Sequence, residues 1–248
     1  MLIDLHAKTH FSEGVSLTPQ QVFKQAQKEG LDGVAICDTA TTAHAGEILD
    51  IAKSEFPDLI VFIGVEIPTA RGLLLGFVPY IDDFFLNEEW AWLTHRTTPS
   101  AEAVLDLFDE KNGLVIAARP YDLDIPFNMG DYIFQFDRLG AVEVFNPKVG
   151  TIQNNFALEA ATFMGVGTVG GSDPTDDVSV IGRYATFFQE DIASQRLFVD
   201  ALRQAEYWAV QLGESTSTKK SSRKRSSRSS RKSRGSRGRG RGRGRGRR

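Results

Sequence analysis

The sequence holds a single cysteine, Cys37, so no disulfide can form within the chain and the fold rests on burial and polar contacts. One thiol also fits a reducing compartment. Long apolar runs are missing too. No stretch approaches the roughly 20 residues that cross a bilayer as a helix. The first residues, MLIDLHAKTH, carry neither a basic segment nor an extended apolar one, so the expectation is a soluble, intracellular protein without a secretory leader. No Walker loop occurs, and the one GxGxxG spacing, GVGTVG (165–170), follows an expected helix and runs into an expected strand instead of opening a helix, which is not the setting of a glycine-rich phosphate cradle. From Lys219 to Arg248 there is no acidic, aromatic or aliphatic residue at all.

What that last segment does contain is positive charge. It holds 16 of the 29 Lys and Arg residues. The other 13 stand against 32 Asp and Glu, so the rest of the chain carries about −19 and the formal net charge of −3 conceals an acidic globule joined to a polycation. The division falls near residue 214. Residues 214–248, ESTSTKKSSRKRSSRSSRKSRGSRGRGRGRGRGRR, have nothing to bury against chain entropy and repel one another, so a disordered tail is expected.

Its cations are Lys219, Lys220, Arg223, Lys224, Arg225, Arg228, Arg231, Lys232, Arg234, Arg237, Arg239, Arg241, Arg243, Arg245, Arg247 and Arg248. They are expected to bind DNA or RNA. Each neutralised phosphate releases counterions, which gives salt-dependent and largely sequence-independent binding. Without aromatics the tail cannot offer the usual base-stacking platform, although guanidinium planes can stack on bases. Competing uses are an import patch in KKSSRKR, docking on the acidic globule of the same chain, and contact with acidic surfaces of other proteins. The expected location is cytoplasmic or nucleoid-associated, or nuclear in a eukaryote.

Residues 1–213 alternate strand and helix patterns. LIDLH (2–6) reads as a strand. SLTPQQVFKQAQKEG (16–30) reads as a helix: Thr18 is the N-cap, Pro19 suits the first helical position, Gln21 closes a capping box and Gly30 ends it. Further strands are expected at 32–38, 59–66, 72–80 (antiparallel to its neighbour), 113–119, 141–146, before 173, at 185–188 and at 207–212. Helices are expected over 43–54, 100–111, 152–163 and 193–204. Segment 81–99 fits neither period and is expected to be a lid or loop. Repeated strand–helix units imply an α/β fold with a mainly parallel sheet and helices outside. Asp4, His6, Asp38, Glu66, Asn146 and Asp173 all fall near ends of separate strands. A closed barrel gathers its chemistry there, so a barrel is expected over an open doubly wound sheet. Cys37 is expected to be buried, His10 and His44 to be surface residues, and the glycines of GVGTVGG to mark close backbone approach.

Six fragments then occur in a fixed order: DLHAKTHFSEG (4–14), GLDGVAICDT (30–39), GVEIP (64–68), ARP (118–120), VEVFN (142–146) and GGSDPT (170–175). Over most of residues 1–190 they resemble the PHP family, named for polymerase and histidinol phosphatase. The resemblance implies a distorted (β/α)7 TIM-like barrel that holds two or three metal ions and hydrolyses phosphoesters. It also implies a ligand set, from which this sequence departs. His6, Glu66 and Asp173 stand at ligand positions, and Glu13 stands for an Asp. Lys8, Thr39, Arg119 and Thr175 occupy places where the family has His, and Leu73 aligns with another.

Lysine and arginine offer no lone pair at neutral pH. Lys8 and Arg119 are therefore expected to replace metal charge by pairing with Glu66, Asp173 or Glu13. The plain alternatives are that Lys8 snorkels to solvent and that Arg119 makes a surface ion pair. The residual ligands are His6, Glu13, Glu66 and Asp173, with His6, Glu66 and Asp173 as the catalytic set if the chain is active. No resident cofactor is expected; zinc, manganese or iron at sub-stoichiometric occupancy is the alternative. Three functions follow. The first is a pseudoenzyme barrel tethered to nucleic acid. The second is a metal-dependent phosphoesterase acting on nucleotides or nucleic-acid ends. The third is a scaffold for acidic protein surfaces.

Overall fold

The computed structural model describes residues 1–81 and 98–213. Its frame is a set of strands, mostly buried except for β9: β1 (Leu2–Ala7), β2 (Gly33–Thr39), β3 (Ile60–Thr69), β4 (Gly72–Phe77), β5 (Leu114–Ala118), β6 (Ala141–Phe145), β7 (Gly167–Gly170), β8 (Tyr184–Phe188) and β9 (Tyr207–Gln211). They form one sheet in the order β7-β6-β5-β4-β3-β2-β1-β8-β9. β1 runs parallel to β2, β2 to β3, β5 to β6 and β6 to β7. β4 runs against β3 and β5, and β8 against β1 and β9. Seven strands thus point one way and two the other.

The sheet curls until its ends nearly meet. At the seam, Gly170 N donates to Thr186 Oγ1 at 3.0 Å, and Ala209 N donates to Thr168 Oγ1 at 3.3 Å. Two threonine hydroxyls thus bridge the seam where backbone pairing between β7 and its neighbours is missing. The expected α/β barrel is the one observed: a nearly closed nine-stranded barrel-like sheet among the described residues. The strand at 72–80 is antiparallel, as expected from the sequence.

The helices are α1 (Pro19–Lys28), α2 (Ala45–Glu55), α3 (Ala101–Glu110), α4 (Thr151–Met164) and α5 (Gln195–Gln204). α1 begins as the sequence implies, with Thr18 and Gln21 closing a reciprocal capping box and Pro19 in the first turn. It buries Val22, Phe23 and Ala26 against the sheet beside α2. Ser100 and Ser194 cap α3 and α5. α5 closes the barrel end from which the seven strands start: Arg203 Nη2 donates to the Gly113 carbonyl at 3.0 Å, and Phe198 stacks on Phe62 at 4.2 Å. An apolar stopper at that end leaves the other end for polar groups.

Two glycines set how closely strands approach there. A Cβ on Gly171 would lie 2.4 Å from His6 Cβ, and one on Gly170 would lie 2.7 Å from the Ala185 carbonyl oxygen. Close approach is therefore the role of these glycines, as the sequence suggested. Cys37 is buried and free. Residues 82–97 and 214–248 lie outside the described residues, and with them most of the expected lid or loop, the expected disorder of the tail and its docking on the globule. No helix among the described residues is long and apolar enough to cross a membrane.

Candidate functional site

Polar side chains collect where the seven strands end. The register of β1 slips between Asp4 and Ala7, and that of β6 between Glu143 and Phe145. Such irregularities re-aim side chains at barrel rims. Beyond β7 the chain bends inward: Gly171 N donates to the Phe145 carbonyl at 3.0 Å, and Asp173 N donates to the His6 carbonyl. Arg119, just after β5, and Asp173 both hold left-handed backbone, at φ 43° and 42°. Non-glycine residues rarely adopt it and it costs about 1–3 kcal/mol, so the surroundings must enforce it.

The centre is His6, fully buried. One ring nitrogen, Nε2, lies 3.0 Å from Glu66 Oε2, and the other, Nδ1, lies 3.0 Å from Glu143 Oε1. Lys8 Nζ lies 3.1 Å from Glu66 Oε1 and 2.7 Å from Asp173 Oδ1. Arg119 Nη2 lies 2.9 Å from Asp173 Oδ2, its Nη1 pairs with Asp122, and its backbone N donates to Glu143 Oε2 at 3.1 Å. Lys148 Nζ adds a third cation, 3.0 Å from Asp173 Oδ2. These three reach Asp173 as close ion pairs whose angles are not those of hydrogen bonds; Arg119 Nε and Asp4 Oδ2 are likewise buried without a hydrogen-bond partner. Thr39 Oγ1 donates to Glu66 Oε1 at 2.9 Å, and Asn146 Nδ2 to Glu143 Oε1 at 2.9 Å.

Burial alone would lower the pKa of His6. The charges of Glu143 and Asp173 and hydrogen bonds to Glu143 and Glu66 outweigh it and raise that pKa to about 9. Burial would raise Glu66, yet its hydrogen bond with His6 and the Lys8, His6 and Arg119 charges hold it well below the usual carboxylate range. Lys8 is pulled down by burial and raised by more through Glu66 and Asp173. Lys148 is lowered, first by burial and then by Lys8 and Arg119, which Asp173 only partly opposes. Asp4, buried beside the cluster, is pushed up to about 6 by burial, against hydrogen bonds from Ser172 and His6.

The structure brings together five residues singled out from the sequence: His6, Lys8, Glu66, Arg119 and Asp173. Lys8 turns inward rather than snorkelling, and Arg119 is buried rather than on the surface. Glu13 is exposed and lies apart. Asp38 is satisfied elsewhere, accepting from Thr9 N, Thr9 Oγ1 and Ser12 Oγ at 2.7, 2.8 and 2.7 Å, so it pins the turn after β1 to β2. His10 and His44 are exposed, and His95 lies outside the described residues. Sequence reasoning missed Glu143, Lys148 and Asp122. A glutamate inside the apolar strand AVEVF was a signal for the first; the other two had none.

The donor set suits a divalent ion in kind. His6, Glu66 and Asp173 each offer one ligand atom, all within 4.8 Å of one another, and imidazole and carboxylate are both donors that divalent ions accept. With Lys8 in place the residues do not fit a resident ion. Its ammonium sits against both carboxylates, whereas a metal bonds at about 2.0–2.2 Å to such donors and would need that space.

A fold of this shape is shared with several solved structures. The chain is similar to PsfC from Pseudomonas syringae, with a TM-score of 0.62 and 14% identity over 85% of this chain and 91% of that one. It is similar to a protein assigned as a metal-dependent phosphoesterase from Bifidobacterium adolescentis, with a TM-score of 0.53 and 20% identity over 72% and 93% of the two chains. It is also similar to an amidohydrolase from Chromobacterium violaceum, solved with bound sulfate and no metal, with a TM-score of 0.56 and 14% identity over 84% and 97%. At these identities the likeness is one of fold alone, a barrel-like α/β architecture. No protein-family model matches the chain. In sequence it is 36% identical over 152 residues to the uncharacterized protein MJ1587 of Methanocaldococcus jannaschii, covering 61% of this chain and 79% of that protein. The chain belongs to the same family as this archaeal protein.

Proposed function

We propose that this chain is a degenerate PHP-type barrel that has lost metal-dependent phosphoester hydrolysis and acts as a binding protein, brought to DNA or RNA by its basic tail. One observation carries the reading: Lys8 Nζ stands 3.1 Å from Glu66 and 2.7 Å from Asp173, between the carboxylates a metal would need. Lys8, Arg119, Lys148 and protonated His6 supply the positive charge that ions would otherwise bring. The 16 tail cations support the nucleic-acid half, because phosphate neutralisation needs only charge.

The test pairs two measurements on the full chain and on residues 1–213. Labelled duplex DNA and RNA are titrated at one ionic strength, and hydrolysis of phosphate monoesters and diesters is followed with added manganese or zinc. The expected result is binding by the full chain alone and no turnover by either. Metal-stimulated turnover that disappears in Glu66→Gln and Asp173→Asn would sink the reading.

A second reading rests on the His6, Glu66 and Asp173 donors, which are enough for one ion plus water. Under it the chain is a metal-dependent phosphoesterase acting on nucleotides or nucleic-acid ends, and Lys8 has to leave the site before an ion enters.

A further inference from the structure

The oxygens of Asp173 are divided between two groups of cations. Oδ1 faces Lys8 at 2.7 Å and His6 Nε2 at 3.8 Å, while Oδ2 faces Arg119 at 2.9 Å and Lys148 at 3.0 Å. Glu66 turns both oxygens to Lys8, at 3.1 and 3.3 Å, and its Oε2 also meets His6 Nε2. The Lys8 ammonium is therefore held by oxygens of two carboxylates, and the same two carboxylates meet His6 Nε2, at 3.0 and 3.8 Å. These three side chains are the set able to hold a metal ion. Arg119 and Lys148 bear on the other oxygen of Asp173.

We propose that the Lys8 ammonium is the resident cation of a one-ion site, and that Lys8 alone keeps divalent cations out of it. The inference deepens the non-hydrolytic reading above and rests on it. Lys8 follows β1 directly and is buried, so the ammonium is tethered at its site and an entering ion has to displace it. Removing the side chain leaves a hole bordered by three protein donors with room for water, the donor count of an open divalent site. Arg119 and Lys148 stay on Oδ2. They weaken an ion by repulsion but leave Asp173 Oδ1 and Glu66 to bond it, and the ion has to displace the proton of His6 to gain its third donor.

The experiment titrates manganese and zinc into the untagged full chain, Lys8→Ala and Lys8→Met after chelation, by calorimetry and by elemental analysis after gel filtration. Wild type is expected to retain no stoichiometric ion, and chelator should leave its melting temperature unchanged. Lys8→Ala should take up one ion per chain, with affinity roughly 100-fold above wild type, the scale on which shell changes alter metal sites. Lys8→Met should take up none, because its stem fills the hole without offering a donor there. Adding Asp173→Asn to Lys8→Ala should abolish uptake. If Lys8→Ala does not fold alone, the added ion should fold it, since metal binding then supplies folding energy. Tight one-to-one uptake by wild type, or Lys8→Ala that takes no ion whether folded or not, overturns the proposal. Failure here shows in metal stoichiometry. Failure of the function reading shows in turnover, and a chain that hydrolyses phosphoesters without binding metal would sink that reading while leaving Lys8 in its place.

Discussion

Lys8 Nζ lies 2.7 Å from Asp173 Oδ1, with the two side chains 8% and 0% exposed. One follows the first strand and the other the seventh, so barrel closure itself creates the pair. Two buried charges at this distance leave little choice of partner. Each is costly to leave alone, because water can no longer replace the interaction.

Lys8→Met should therefore destabilise the protein by about 3–5 kcal/mol, the usual cost of breaking a buried pair from one side. Adding Glu66→Gln should recover part of the loss, since one of the carboxylates left without the ammonium is then neutral. Denaturant unfolding at neutral pH measures both. A neutral Lys8→Met would mean that the ammonium contributes nothing to the fold.

His6 gives stability a basic limit. Its folded pKa, about 9, lies above the ordinary histidine value of 6.5. A raised base contributes fully below its unfolded pKa, so the contribution is present below about pH 6.5 and is lost as pH rises through about 9. Two to three pKa units correspond to roughly 3 kcal/mol. Glu143→Gln removes the charge that raises His6 most, and should move this loss to lower pH. A flat unfolding free energy between pH 6 and 10 would contradict a protonated His6.

Asp4 acts in the same direction with pH at lower values, but here it is the charged form that costs stability. Its Oδ1 accepts from His6 N and Ser172 N at 3.0 Å each, while Oδ2 is buried without a partner. Burial lifts its folded pKa to about 6 from 3.8. The proton is held more tightly in the folded state, so stability falls as pH rises from about 4 through 6. Asp4→Asn keeps the accepting oxygen and removes the charge. It should gain about 1–3 kcal/mol at pH 8 and little or nothing at pH 4. Destabilisation at pH 8 would show that the ionised form is needed.

Much of this was readable from local pattern. The Thr18–Gln21 box, the serine caps of α3 and α5 and the apolar strands are short-range signals, and each element formed where they lay. Strand direction is not local: nothing in YATFF says that β8 runs against β1, because an apolar strand reads the same either way. Lys148 resembles any lysine in a polar turn until the barrel brings Asp173 to 3.0 Å. Glu13 shows the reverse. Its motif position suggested a ligand, but Ser12 takes the inward place by donating to Asp38 at 2.7 Å, and Glu13 is left exposed.

The tail makes a claim of another kind, which needs no folded site. Full-length protein should bind duplex DNA and RNA with little sequence preference, and residues 1–213 should not bind measurably. If about eight phosphates are engaged at once, log K against log salt should fall with a slope of about −7 on duplex DNA. Replacing every second tail cation by serine should roughly halve that slope, since each lost contact retains its counterion. A sequence-reading interface would instead lose affinity on particular sites while the slope stayed nearly constant. Salt has to be held fixed within each comparison, because screening alone shifts the affinity. Undiminished binding by residues 1–213 would move the nucleic-acid site onto the barrel. Lys148, the partly exposed cation of the cluster at 29%, would then be the first residue to substitute, and a phosphate-handling site would regain its claim.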